Sequence, residues 1–476
     1  MLFNSYLFVL IFLPITVLGF YVAAHYLGYR GSRLWLIAAS LLFYAWWNPV
    51  YIGLLLGSII INFCLGYLLR SKSKHSKKYL IAGVLGNLVF LGYFKYANFF
   101  ITSINLLAST EFPALNIILP LGISFFTLQQ MAFLLDTYEG LTEEKSFLDY
   151  LLFASFFPTL LSGPIVHHRE VLPQFKKSNA GTFNDKEFSY GLFVFAIGLF
   201  KKTVIADSLA GMVAVGFDGH GIISATDAWL SSIAFTLQAY FDFSGYSDMA
   251  VGLGLLFNIK LPLNFNSPFK ATSIIQFWQR WHMTLTDFIN AYVYMPLMRL
   301  RKSFSFYYSL CVTVIAMMMV GLWHGASWNY VLFGLLQGVA LVINHLWRRF
   351  GFSIYKIIGW LLTILWWHFT LVVFRATSME AAQRMVNAMF TGSVGWVDKN
   401  IYEAVPMLNF LPIELFTLAA SLLFLILLVC CVKLKNPHDH LDLFKPSFFY
   451  FSVTLMALIS SVLLMNHVTE FIYFQF

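Results

Sequence analysis

Apolar residues run in blocks of about twenty along this chain, with short polar breaks between them, and a block of that length matches a helix crossing a bilayer. The pattern predicts roughly eleven or twelve spans, with one or two further segments that only re-enter the membrane. The first group covers Ser5 to Ala24, Arg33 to Trp47, Val50 to Leu69, Tyr79 to Phe100, Pro113 to Leu135 and Phe147 to Leu161. The second covers Tyr190 to Met212, Ala228 to Phe257, Ser305 to Trp323, Trp328 to Trp347, Ile354 to Phe374, Phe416 to Val432 and Phe448 to Met465. Asn48-Pro49 separates two spans, because a proline ring cannot continue a helix. Asp242 and Ser244-Gly245 interrupt the long run from Ala228 to Phe257, so a broken or tilted helix is expected there, and broken helices at membrane depth line cavities. The fold class is therefore an all-α polytopic membrane protein, with one membrane domain filling residues 1–476.

Composition agrees. Hydrophobic residues make up 59% of 476 positions and charged residues 11%, against about 25% in soluble domains, so too little polar surface exists to face water. The net charge of +8 does not signal nucleic acid, because the Lys and Arg residues fall in short bursts between apolar runs. Cys64, Cys311, Cys430 and Cys431 lie in or at the ends of apolar segments without metal-ligand spacing, and read as small core residues. The N-terminal run has no basic region before it and no small-residue cleavage site, which favours a first membrane helix over a cleaved signal.

Orientation follows from the basic loops. Arg30 and Arg33, the cluster Arg70, Lys72, Lys74, Lys77 and Lys78, then Arg299, Arg301 and Lys302, Arg348, Arg349 and Lys356, and Lys433 and Lys435 are expected in the cytoplasm. Both termini and the connection from Arg375 to Pro412 then lie outside the membrane, on the face away from the cytoplasm. That connection starts Thr377-Ser378-Met379-Glu380, a capping-box pattern, and Met379, Ala382, Val386 and Met389 predict a short amphipathic helix on the outer surface.

Polar residues within apolar surroundings mark the chemistry. His324 sits in Met317-Met318-Met319-Val320-Gly321-Leu322-Trp323-His324-Gly325-Ala326-Ser327-Trp328, and an ionisable group inside such a run is by default a functional candidate. Gly321 and Gly325 remove bulk on both sides, admitting a substrate or a backbone, while Trp323 and Trp328 wall the position. An imidazole there can take a proton from a hydroxyl nucleophile. His25, His75, His345, His368, His438 and His440 are set aside as structural, the commoner fate of a lone histidine.

Three other clusters remain open. Leu161 to Glu170, with a Gly-Pro break and His167-His168-Arg169, reads as a helix end at the interface at least as well as a catalytic element. Tyr240 to Asp248 carries Asp242 and Asp248, either structural hydrogen-bond hubs or part of a site wall. Asn264 to Pro268 precedes Gln276 to His282, whose alternating aromatic and basic residues fit an amphipathic or re-entrant segment. His282 either folds back against the Trp323 to Trp328 turn or belongs to an interfacial anchor.

Taken in order, YFDFSGYSD (Tyr240 to Asp248), NFNSP (Asn264 to Pro268), FWQRWH (Phe277 to His282), GLWHGASW (Gly321 to Trp328) and FIYFQF (Phe471 to Phe476) resemble the membrane-bound O-acyltransferases. The likeness is strongest to the bacterial branch that contains alginate O-acetyltransferase, with teichoic acid D-alanyl transferase more distant. The resemblance implies that His324 is catalytic, that His282 is a second required position, and that both line a tunnel through the membrane domain. It also implies that an acyl group passes from a cytoplasmic thioester donor, acetyl-CoA, to an extracytoplasmic polysaccharide, with a periplasmic esterase-like (SGNH-type) acetyltransferase as partner. No bound cofactor, metal or nucleic acid is expected.

An alcohol attacking a thioester needs a base and a donor to the developing oxyanion. His324 suits the first role, and His282, Asn264 or Trp281 the second. Asn264, Trp281, Trp323, Tyr240 and Asp242 are expected to line the tunnel. In place of the Arg-Asp-Tyr and Ile-Pro-Leu-Gly-Gly runs typical of the alginate branch, this chain has Asn290-Ala291-Tyr292 and Met295-Pro296-Leu297-Met298-Arg299, which leaves acceptor and partner open. The rivals are a D-alanyl or lipid acyltransferase of the same family and, at greater distance, a transporter, for which an internal repeat is lacking.

Overall fold

The first two predicted spans form one helical run, a π turn (Phe8–Phe12) followed by α1 (Leu13–Ala45), folded at Gly28. Gly28 has φ 65° and ψ −165°, a conformation closed to residues with a Cβ. The two arms meet where Trp35 Nε1 donates to the Thr16 carbonyl at 2.9 Å, and a Cβ on Gly19 would lie 2.3 Å from the Trp35 ring. A computed structural model describes residues 1–142, 144–176, 181–219, 223–405, 408–437, 444–465 and 471–472. His438, His440 and residues 473–476 of the C-terminal motif lie outside that set.

The described residues fall into two compact units, Met1–Gly198 with Tyr246–Leu263 and Leu441–Val462, and Leu199–Gly245 with Asn264–His440 and Leu463–Phe476. In the first, α1 is followed by α2 (Val50–Arg70), α3 (Ser76–Leu91), a π turn (Gly92–Tyr96), α4 (Ala97–Ala108) and α5 (Ile123–Glu139). Small residues let α2, α3 and α5 approach closely: a Cβ on Gly66 would lie 2.5 Å from Phe133, and one on Gly83 2.6 Å from Leu134. Asn62 bridges them, donating to Gln130 Oε1 at 2.5 Å and accepting from Asn87 Nδ2 at 2.7 Å.

Prolines and a glycine shorten two predicted spans in this unit. Residues 110–120, with Pro113 and Pro120, are not helical, and α5 begins only after Gly122 turns the chain at φ 72°. The span from Phe147 to Leu161 is divided at Phe156 into α6 (Phe147–Ser155) and α7 (Phe157–Leu160), because Pro158 cannot donate to the preceding turn. After α7 the chain runs through a buried Ser162 to Val166 stretch into α8 (His168–Phe175), where His168 is buried and Arg169 and Glu170 are exposed. Basic residues find carboxylates here: Arg33 pairs with Asp149, and Lys176 with Glu144 at 2.6 Å, while Arg70 donates to the Glu144 carbonyl.

α9 (Asp185–Phe200) continues through a π turn (Lys201–Ala206) into α10 (Asp207–Asp218). α11 (Ala225–Leu256) is one continuous helix through Asp242 and Ser244-Gly245, so of the two forms expected here the broken one does not occur. The Asp242 charge is met by a lysine rather than by opening the backbone. In the second unit follow α12 (Ile274–Trp278), α13 (Met283–Ile289) and α14 (Met295–Arg299), all short, then the long pair α15 (Phe306–His324) and α16 (Trp328–Arg349). α17 (Lys356–Arg375), α18 (Met379–Thr391), α19 (Lys399–Glu403) and α20 (Ile413–Lys433) complete it, and α21 (Phe448–Leu464) comes last in the chain.

Among the described residues seven helical runs are long and apolar enough to cross a membrane: Phe8–Ala45, Val50–Arg70, Ser76–Ala108, Phe306–His324, Trp328–Arg349, Lys356–Arg375 and Ile413–Lys433. The other predicted spans are broken, shorter or more polar helices. α18 is amphipathic as expected, with Ala382, Met385 and Met389 buried and Met379 exposed. Its cap is shifted by one residue from the predicted box. Ser378, not Thr377, accepts from the Ala381 N–H, and its side chain also bonds the Glu380 carboxyl and lowers its pKa.

Candidate functional site

α15 and α16 are joined by Gly325 to Ser327 alone, and Ser327 caps α16 by accepting from the Asn329 N–H. The two helices meet backbone to backbone. A Cβ on Gly321 would lie 2.1 Å from the Tyr330 carbonyl, one on Gly334 2.3 Å from the Met317 carbonyl, and one on Gly338 2.9 Å from Val314 Cα. A Cβ on Gly325 would lie 2.1 Å from the Tyr330 ring. Both glycines beside His324 thus admit protein groups, a neighbouring backbone and a tyrosine ring.

That packing places His324 at the last residue of α15, where helix carbonyls favour a positive charge. Its ring lies in an aromatic enclosure, with centroids 5.1 Å from Trp323, 5.3 Å from Phe374 and 6.3 Å from Phe333, and it is only 4% exposed. An imidazole in this position is shielded from water, and the helix end stabilises the imidazolium formed on taking a proton.

His282 is brought to the same place by a clamped loop. Its backbone is left-handed (φ 44°, ψ 52°), a conformation that costs a residue with a Cβ about 1–2 kcal/mol and persists where surroundings hold it. Asn264 holds it from two sides. Its carbonyl accepts from the Met283 N–H at 2.9 Å, while its side-chain Oδ1 lies 3.0 Å from His282 Nδ1 and accepts from Thr284 Oγ1 at 2.9 Å. The loop closes again where the Asn266 N–H donates to the Arg280 carbonyl at 2.9 Å.

The His282 ring is fully buried, its centroid 4.6 Å from Phe243, 5.9 Å from Trp323 and 6.4 Å from His324. His282 belongs to none of the long apolar runs. Burial above all, with the His324 imidazole nearby, holds its pKa well below the ordinary imidazole value, so the ring is neutral near pH 7. Its segment is not an interfacial anchor. Trp278 and Trp281 are buried with Phe277 and Trp367, the Trp281 and Trp367 rings 4.7 Å apart, and Trp278 Nε1 donates to Gln337 Oε1 at 3.2 Å.

The remaining sequence candidates divide. Trp323 touches both imidazoles. Tyr240 and Trp281 sit one layer behind, their rings 6.3 Å apart, with Phe265 and Phe243 between Trp281 and His282. Asp242 turns to a different task. Its Oδ1 lies 2.6 Å from Lys202 Nζ, which also lies 2.6 Å from Asp207 Oδ1, and its Oδ2 accepts from the Ile472 N–H at 2.9 Å. All three charged side chains are buried. Of the two readings open for Asp242, hub or wall, the structure gives the hub. Lys202 itself escaped the sequence reading, although a lysine inside the predicted span from Tyr190 to Met212 was a signal that a buried acid partner exists. Thr284 and Phe374 had no comparable signal.

A multi-pass helical chain with two buried imidazoles, one ending a membrane helix, defines a class that comparison with known proteins identifies. Residues 10–351 match the model of the MBOAT, membrane-bound O-acyltransferase family. The chain belongs to that family and is an acyltransferase. It is 43% identical over 422 residues to the peptidoglycan O-acetyltransferase of Helicobacter pylori, covering 82% of this chain and 80% of that protein. It is 36% identical over 404 residues to the probable alginate O-acetylase AlgI of Pseudomonas aeruginosa, covering 82% and 75%. Similarity to the teichoic acid D-alanyltransferase of Bacillus subtilis is lower, 29% over 255 residues, covering 50% and 62%.

Proposed function

We propose that this protein transfers an acetyl group from acetyl-CoA on the cytoplasmic side of a bacterial inner membrane to hydroxyl groups of a polysaccharide outside. The observation that carries the reading is the pair of buried imidazoles 6.4 Å apart, one of them at a helix C-terminus. An acceptor hydroxyl gives its proton to His324 as its oxygen attacks the thioester carbonyl, the C–S bond breaks, and the proton passes to the departing thiolate. His282 lies beside the reacting groups, and Trp323 excludes water from both.

The acceptor is read as a glycan on the strength of the two O-acetylating relatives, peptidoglycan ranking above alginate because identity is 43% against 36%. A periplasmic SGNH-type partner would complete transfer to the polymer. Membrane vesicles containing the protein, supplied with labelled acetyl-CoA, a periplasmic SGNH-type acetyltransferase and either peptidoglycan or alginate fragments, test this. Label in the glycan supports the reading, and transfer only from an aminoacyl carrier protein would replace it with D-alanylation.

Two further outcomes are expected. His282→Gln should lose turnover by about 10²-fold or more while inserting normally; near wild-type turnover in the purified variant would remove His282 from the chemistry. Single cysteines in the Lys72 to Lys78 segment should be shielded from an impermeant reagent added outside, whereas cysteines in Gly392 to Lys399 should react. The reverse pattern would invert the orientation and the side from which the donor arrives.

A further inference from the structure

Resting on the acyl-transfer reading above, one question about the second histidine has an answer in its contacts. A neutral imidazole carries one proton, and the nitrogen that bears it decides whether the free edge of the ring donates or accepts. The atom of Asn264 nearest His282 is identified by its other neighbours. The backbone N–H of Thr284 lies 3.3 Å from it, and an amide N–H can only donate, so this atom is the carbonyl oxygen and not the amide nitrogen. The Thr284 hydroxyl at 2.9 Å donates to the same oxygen. His282 Nδ1, 3.0 Å away, therefore meets an acceptor and must carry the proton.

We propose that Asn264 is a positioning residue that fixes His282 in the Nδ1-protonated tautomer, leaving Nε2 as a proton acceptor beside His324. This removes one of the roles that the sequence left open. In this tautomer His282 cannot offer a neutral N–H from Nε2 to an oxyanion, so it receives a hydrogen bond or a proton from the substrate side. It also removes the Asn264 carbonyl oxygen from substrate contact, because Nδ1 and Thr284 occupy it. The clamp is redundant in a telling way: the Asn264 backbone holds Met283, and its side chain holds the residues on either side, so one asparagine sets both the left-handed turn and the proton. Among the described residues His324 is a titratable group facing His282, and Phe243 and Trp323 cover the ring with apolar surface.

The test is nitrogen-15 NMR on the full-length protein in bilayers, labelled at histidine, with the His282 signals identified by their loss in His282→Gln. The expected wild-type signature is a neutral ring with a protonated Nδ1 and a bare Nε2. Asn264→Leu should shift the ring toward Nε2–H and lower kcat about 10²-fold or more, with KM changed far less. Asn264→Asp keeps the acceptor, so it should keep the tautomer and restore much of the turnover, and its carboxylate should move the acidic limb of the kcat profile to higher pH. If Asn264→Leu does not fold, Asn264→Asp still decides. A wild-type ring protonated at Nε2, or an Asn264→Asp profile unmoved on the acidic side, would overturn the proposal. Should the NMR signature hold while the protein transfers no acetyl group, the tautomer assignment stands and the reading of the reaction falls.

Discussion

Purified His324→Ala protein is expected to insert and purify like wild type and to transfer no measurable acetyl group. The substitution removes the imidazole at the end of α15, while the glycine seam at Gly321, Gly334 and Gly338 that packs the helix against α16 stays intact. Loss of a general base is worth about 10² to 10⁴ in rate, enough to bring most assays to background. The size of the effect separates His324 from its aromatic neighbours. Phe374→Leu keeps the base and should cost far less. Transfer by His324→Ala at near wild-type rate, measured with labelled acetyl-CoA in vesicles, would show that the proton goes elsewhere.

Lys202→Met is expected to be strongly destabilising to the second unit. Lys202 Nζ lies 2.6 Å from both Asp207 and Asp242, and its side chain is 2% exposed. Removing it leaves two buried carboxylates facing each other, and breaking a buried pair in this way costs about 3–5 kcal/mol. Unfolding in detergent, followed by heat or denaturant, should show a clear loss, and expression should drop with it. The companion variant Lys202→Met with Asp207→Leu and Asp242→Asn removes the stranded charges while keeping a side-chain oxygen for the Ile472 N–H. It should recover much of the stability, since buried ion pairs replaced by neutral groups of similar size are often near neutral overall. An unchanged unfolding midpoint in Lys202→Met would mean that water reaches this cluster.

The parts of this fold that could be read from sequence are those set by one stretch of chain. The hairpin of α15 and α16 follows from two apolar runs and the Gly325 to Ser327 break, and the importance of His324 from its isolation within one of them. What needed coordinates was partnership across distance. Asp242 was expected to break or tilt α11, yet the helix continues unbroken because Lys202, forty positions earlier, supplies the opposite charge. The Trp278 to His282 segment has the aromatic and basic alternation of an interfacial belt, and the same alternation serves a buried cluster when Trp367 and Gln337 are there to receive it. The capping of α18 shows a smaller error of the same kind, in which two adjacent hydroxyl residues compete and geometry chooses Ser378. The role of Asn264 depends on which of its two amide atoms meets His282, a detail composition and spacing do not encode.

The glycine seam between α15 and α16 bears on how loss-of-function data from this region would be interpreted. At Gly321, Gly334 and Gly338 even a methyl group would collide with the opposing main chain, so a saturation scan would score all three as intolerant of every replacement. They would then look as indispensable as His324, although they hold no proton and touch no reacting group. Abundance sorts the two kinds of position: seam variants should vanish from the membrane fraction, while His324 variants should accumulate there as full-length, inactive protein.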